Sequence, residues 1–198
     1  MKADSRAVDK TPGRPRDPRI DASILRAAAE LLVETGYSNV TIAAVAERAK
    51  TTKTALYRRW SSKAELVHEA VFPATPTALA VPSSSFADDV RAMVEATRDV
   101  FTTPVVRAAL PGLVADMAGD AELNARVMQR FAGLFAAVRD RVRRAIDEGD
   151  AHPATDPDRL VEVIGGATML RLLLRPGEQL DDQWVAQTTA IVVHGVVT

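Results

Sequence analysis

From Ile20 onward the apolar residues of this chain return every three or four positions, and no run alternates apolar with polar for long enough to make a strand. Such a pattern is satisfied by helices that each bury one stripe against their neighbours. The sequence therefore predicts an all-α fold, and with 47% apolar residues among 198 it has the material for a substantial core. No internal repeat is present, so a solenoid is not expected.

Local punctuation divides the pattern. Residues 1–19 hold Pro12, Pro15 and Pro18 among charges and are expected to form a flexible basic arm. Ile20, Ile24, Ala27, Ala28, Leu31 and Leu32 then share a helical face over residues 21–35 that stops at Gly36. Thr41 is placed to cap a short helix bearing Ile42, Val45, Ala46 and Ala49 on one face, and a third helix begins at Thr52 with Leu56 as its lone large aliphatic residue. Ser62 and Glu65 have capping-box spacing for a fourth, running to about residue 72. The first expected domain is thus residues 20–72. Residues 73–85 carry three prolines and three serines and read as a linker. The second expected domain, residues 86–198, has helices starting near Ser85, Val105, Leu123, Asp156 and Asp181, about nine in the whole chain. Pro111-Gly112 is expected to kink or split the helix at 105–118, whereas 123–149 reads as one long helix.

The net charge of −1 conceals an asymmetry: residues 1–63 carry 13 Lys/Arg against 7 Asp/Glu, and residues 64–198 carry 12 against 19. The basic end suits a polyanionic partner, and the acidic remainder would be repelled by phosphate. Cysteine is absent and no charged-then-apolar leader opens the chain, so disulfides, a thiol nucleophile and secretion are not expected and a cytoplasmic location is. The most apolar stretch, residues 161–174, is interrupted by Glu162 and Arg171 and falls short of the roughly 20 residues that span a bilayer. Enzymatic chemistry is not indicated either. His68, His152 and His194 are isolated, no serine lies in a G-x-S-x-G setting, and the Glu65/His68 pair lacks the second copy a di-iron bundle needs. No cofactor or metal is expected.

Three short helices in a basic region, the second and third joined by a tight turn, match the requirements of a helix-turn-helix. A recognition helix must offer donors to base edges while its neighbours hold phosphates. Lys53, Thr54, Ala55 and Arg58 have the chemistry for the first task, since Lys and Arg suit guanine and Ala or a Thr methyl suits thymine. Thr41, Thr52 and Tyr57 offer hydroxyls for phosphates, and a phosphate would explain Lys63 in the first turn of a helix whose dipole disfavours a cation. Arg14 and Arg16 in the arm suit a minor groove.

Ile24-Leu25-Arg26-Ala27-Ala28, Glu34-Thr35-Gly36-Tyr37, Val45-Ala46-Glu47-Arg48-Ala49, Leu56-Tyr57-Arg58-Arg59-Trp60 and Ser62-Lys63-Ala64-Glu65-Leu66 together resemble the N-terminal domain of TetR-family repressors. That resemblance implies a nine-helix subunit, homodimerisation through the last two helices, a palindromic operator and an inducer pocket in the C-terminal bundle. It also implies phosphate contacts at Thr41, Thr52, Tyr57 and Lys63, and base-facing positions at Lys53, Thr54, Ala55, Arg58 and Arg59. Lys50 stands where the family's turn usually has glycine, so either Lys50 takes a left-handed conformation or the turn differs. Trp60 replaces the usual phenylalanine and is expected to plug the core.

In the last two helices Val161, Ile164, Leu172, Leu173 and Leu174, then Val185, Ile191, Val192 and Val196, lie on more than one face, as a two-fold four-helix interface would need. Gly165-Gly166 would admit a close partner. Met93, Phe101, Met117, Phe131, Phe135 and Met169 are candidate pocket residues for a small hydrophobic effector, since methionine adapts to irregular shapes, and are equally suited to an ordinary core. Two other functions remain open to the sequence: a constitutive DNA-binding factor without an inducer, and a helical protein-interaction module.

Overall fold

The structure, a computed structural model, describes residues 18–73 and 85–196, with side chains to residue 194. Among the described residues it contains ten α-helices and no strand: α1 (Pro18–Thr35), α2 (Ile42–Arg48), α3 (Lys53–Tyr57), α4 (Lys63–Val71), α5 (Phe86–Thr102), α6 (Pro104–Gly119), α7 (Ala121–Arg130), α8 (Ala132–Glu148), α9 (Pro157–Leu174) and α10 (Asp182–Val196). A single 3-10 turn, Tyr37–Asn39, joins α1 to α2.

The starts of these helices follow the local cap chemistry. The hydroxyls of Thr41, Thr52, Ser62 and Ser85 each accept a backbone N–H three residues on, satisfying an end-group that would otherwise be orphaned. Asp156 takes the N–H groups of Asp158 and Arg159 with Pro157 in the first turn. At Ser62 the capping box is displaced by one residue, because the Glu65 carboxylate reaches back to the Ser61 N–H and hydroxyl. Gly36 and Gly149 close α1 and α8 with positive φ. α1 begins at Pro18, three residues before the expected start, as proline is tolerated in a first turn.

One expectation fails. Residues 123–149 are two helices, broken at Phe131, whose φ of −90° and ψ of 0° turn the chain while its ring joins His68, Phe72 and Phe135 in an aromatic cluster. That break makes ten helices where about nine were expected. Conversely, α6 runs unsplit through Pro111. The lost N–H of Pro111 deprives the Arg107 carbonyl of its helical partner, but Val106, Ala109, Leu110 and Leu113 are all buried and hold both halves in register.

Packing ties the ends together through α6. One core joins Ile24, Ala28, Leu32, Val45, Leu56 and Leu66 of the first four helices, and Trp60 between α3 and α4, to Val106, Ala109 and Leu113 of α6. A second core joins Phe86, Val90 and Val94 of α5 to Val138 and Val142 of α8, Leu160 and Ile164 of α9, and Val185 and Val192 of α10. Leu110 of α6 lies in a further cluster with Leu172 and Leu180. Thus α6 is held by both the small unit and the bundle.

Candidate functional site

Helix α3 is only five residues long, and its single fully buried side chain, Leu56, pins it to α1 and α2. With one anchor facing inward, Lys53, Thr54, Tyr57 and Arg58 are left exposed, Tyr57 with 59% of its surface in solvent. The tight turn before α3 passes through Lys50 at φ 52°, so Lys50 accepts the left-handed conformation. No carboxylate pairs with Lys53 or Arg58 among the described residues. Elsewhere Arg48, Arg91, Arg98, Arg126, Arg139 and Arg141 all lie on carboxylates. The basic face of α3 is therefore uncompensated charge on a rigid support, the arrangement that attracts phosphate.

Some candidates lie elsewhere. Arg59 is turned inward, ion-paired with Asp21 and donating to the Ala55 carbonyl at 2.8 Å, so it does not face outward with Arg58. Ala55 is half-buried, and Thr41 and Thr52 are exposed while capping their helices. Arg14 and Arg16 lie outside the described residues. Trp60 is buried and donates its indole N–H to Glu69 at 2.9 Å, as a core plug.

Lys63 has a structural occupation that its spacing did not reveal. Its ammonium donates to the Tyr37 carbonyl at 2.6 Å and sits 4.1 Å from the centre of the Tyr37 ring, where burial holds its pKa below the ordinary lysine range. The Tyr37 hydroxyl donates to Asp116, and burial, reinforced by that carboxylate, pushes its pKa up. The Tyr37 ring packs against Gly112, so closely that a Cβ there would fall 2.1 Å from Cδ1. Gly112 thus serves close approach between the 3-10 turn and α6.

A cavity of about 900 Å³ opens between α5, α8 and α9, floored by Phe72 and Phe131. Met93, Phe101, Phe131, Phe135 and Met169 line it, but Met117 does not: it packs instead with Ala64, Leu123 and Val127. Its size lies within the range of sites that enclose small organic molecules. Asp89 and Arg141, both buried and paired at 2.5 Å, stand in its wall, with the guanidinium 5.3 Å from the centre of the Phe86 ring. Behind Phe72 and Phe131, His68 of α4 is 3% exposed and its Nε2 has no hydrogen-bond partner. Burial, with the Arg130 charge nearby, lowers its pKa from 6.5 to about 4.

The outer faces of α9 and α10 expose Val163, Leu170, Leu173, Leu174 and Ile191, with Leu170 at 60%, Leu174 at 70% and Ile191 at 74%. Val161, Ile164, Leu172, Val185 and Val192 point into the subunit instead. Gly165 lines the cavity and Gly166 lies on the exposed side. None of the described helices is long and apolar enough to cross a membrane.

Comparison with known proteins accords with this arrangement. Residues 24–70 match the family described as "Bacterial regulatory proteins, tetR family", and residues 81–192 match "Tetracyclin repressor-like, C-terminal domain". The HTH-type transcriptional regulator YdeS of Bacillus subtilis is 27% identical over 93% of both chains, and Rv1556 of Mycobacterium tuberculosis is 30% identical over 88% of this chain and 85% of that one. The crystal structure of the TetR family transcription regulator SCO0332 superposes with a TM-score of 0.68 at 32% identity, covering 91% of this chain and all of the other. Matched at both ends by the family's two domains and along most of its length by such regulators, the chain belongs to the TetR family of DNA-binding transcriptional regulators.

Proposed function

We propose that this protein is a homodimeric repressor that holds a palindromic operator through α3 and releases it when a small, largely apolar molecule enters the bundle cavity. The observation that carries the reading is the face of α3, where Lys53, Thr54, Tyr57 and Arg58 are exposed and the two cations lack carboxylate partners among the described residues. In this reading Lys53, Thr54 and Arg58 address base edges, with Ala55 against a thymine methyl, and Thr41, Thr52 and Tyr57 take phosphates. Arg14 and Arg16 of the arm enter the minor groove. Lys63 takes a phosphate as well, its ammonium positioned by the Tyr37 carbonyl, whereas Arg59, paired with Asp21, supports α3 from behind.

The exposed apolar stripe on α9 and α10 supports dimerisation through the last two helices, since a lone subunit would leave it in water. Two recognition helices then meet half-sites about 34 Å apart. A ligand favours a dimer whose α3 spacing no longer fits, and the operator is lost by population shift. Phe72 and Phe131 connect the cavity to this change, because their rings pack both on the cavity and on His68 of α4. A constitutive factor would need no cavity of 900 Å³.

A salt-titrated gel shift on DNA from upstream of the protein's own gene tests the reading. Arg58→Ala should weaken selective binding by about 10- to 100-fold, corresponding to a lost base contact, and Tyr57→Phe should weaken all sequences alike. Absence of binding to that fragment and to random DNA would refute it.

A further inference from the structure

Among the described residues, the cavity has one lining guanidinium with no carboxylate partner. Its wall is apolar along Met93, Phe101, Phe135, Ile164 and Met169, and its ionic residues are two carboxylates, Asp89 and Asp140, against three guanidiniums, Arg141, Arg143 and Arg144. Asp89 is neutralised by Arg141 within the wall, where Glu148 approaches the same guanidinium at 3.7 Å. Asp140 is taken by Arg143 at 3.1 Å. Arg144 is left with no ion pair among the described residues. Residues 140, 143 and 144 are exposed, as is Met128, so they mark the mouth, and the apolar wall lies within.

From this arrangement we infer that the cavity takes a single-chain anionic amphiphile, an aliphatic carboxylate, with its tail among the methionines and phenylalanines and its headgroup on Arg144. The inference rests on the proposed effector role of the cavity and specifies its chemistry. A guanidinium receives a carboxylate through two parallel N–H···O bonds, which a neutral headgroup cannot match. A cationic headgroup at the same mouth would meet the exposed guanidiniums of Arg143 and Arg144 and find both lining carboxylates engaged. The tail is accommodated because Met93, Met128 and Met169 can repack around a flexible chain.

The test uses the full-length protein loaded with the neutral dye Nile red, displaced by dodecanoate, dodecanol or dodecyltrimethylammonium below their micellar concentrations at pH 7.5. Gly165→Leu locates the probe: a Cβ at this cavity-lining position meets nothing within 4 Å, so the leucine side chain projects into open space there and should weaken dye binding. Dodecanoate is expected to bind about fivefold or more tighter than dodecanol, with the ammonium weakest. Two further methylenes should tighten binding roughly 16-fold, at about fourfold each. Arg144→Ala should erase the advantage of dodecanoate over dodecanol and leave dodecanol unchanged. Dodecanol or the ammonium equalling dodecanoate, or an advantage that survives Arg144→Ala, would overturn the carboxylate assignment alone. Failure of all three to displace the dye, or dye binding unaffected by Gly165→Leu, would remove this inference together with the effector role of the cavity.

Discussion

Gly112→Ala adds one methyl group at the seam between the 3-10 turn and α6. The new Cβ would lie 2.1, 2.4 and 2.6 Å from Cδ1, Cγ and Cε1 of Tyr37. Carbon atoms rest at about 3.5–4.0 Å, so the ring must retreat by roughly 1.4 Å. Rotation about its own axis gives no relief, because Cγ lies on that axis. Retreat is also resisted at both ends, by the hydroxyl's bond to Asp116 and by the Lys63 ammonium over the ring. Overpacking of this kind costs about 1–3 kcal/mol, and the better helix propensity of alanine returns up to about 1. The net loss should therefore be about 1–2 kcal/mol, lowering Tm by about 2–8 °C for a chain of this size. The control is Tyr37→Ala. With the ring gone the three closest contacts of the added methyl are removed, and Gly112→Ala should become neutral or stabilising, so the two substitutions should couple by about 1–3 kcal/mol. Urea unfolding followed by circular dichroism at fixed protein concentration measures all four corners of the cycle. Additivity within about 0.5 kcal/mol would refute the claim that this glycine exists to seat the ring.

Lys50→Gly should stabilise the protein by about 0.5–1 kcal/mol in the same assay, since Lys50 is exposed and sits at φ 52°, where a side chain is strained. Buried His68 gives stability a pH dependence of known sign: the unfolded chain binds a proton below about pH 6.5, the native state refuses it until about pH 4, so stability falls as pH drops through that window. The loss from this group approaches about 3 kcal/mol, and His68→Phe should flatten that segment of the stability–pH curve. Leu170→Glu combined with Ile191→Glu places charge on the exposed face of α9 and α10 and should shift sedimentation from dimer to monomer; unchanged sedimentation would place the interface elsewhere.

How much of this could be read from the residues alone depends on the range of the interaction concerned. A cap joins residues two or three apart, so Thr41, Thr52, Ser62, Ser85 and Asp156 announce helix starts that the backbone then adopts. The placement of Leu56 among polar and basic neighbours likewise leaves Lys53 and Arg58 on the outer side of α3 whatever the rest of the chain does. The apolar periodicity, however, continues through Phe131, and only Gly133 nearby gives a weak local hint of the break. It arises because the ring packs on His68 and Phe72, which are remote in sequence.

The same limit governs side chains whose partners lie far along the chain. Arg59 and Lys63 carry the charge a nucleic-acid site needs, and both are engaged by partners 38 and 26 residues away. Asp89 meets Arg141 across 52 residues and Tyr37 meets Asp116 across 79, spacings that no local pattern encodes. Met117 has the chemistry of a pocket residue, yet α6 directs it toward Ala64 and Leu123. The helical fold, its caps and the basic face of α3 are legible in the residues, because each depends on spacing along one element. Which charges stay free, where the cavity opens and why Tyr37 leaves no room for a side chain at Gly112 are not, because these follow from how separate helices approach one another.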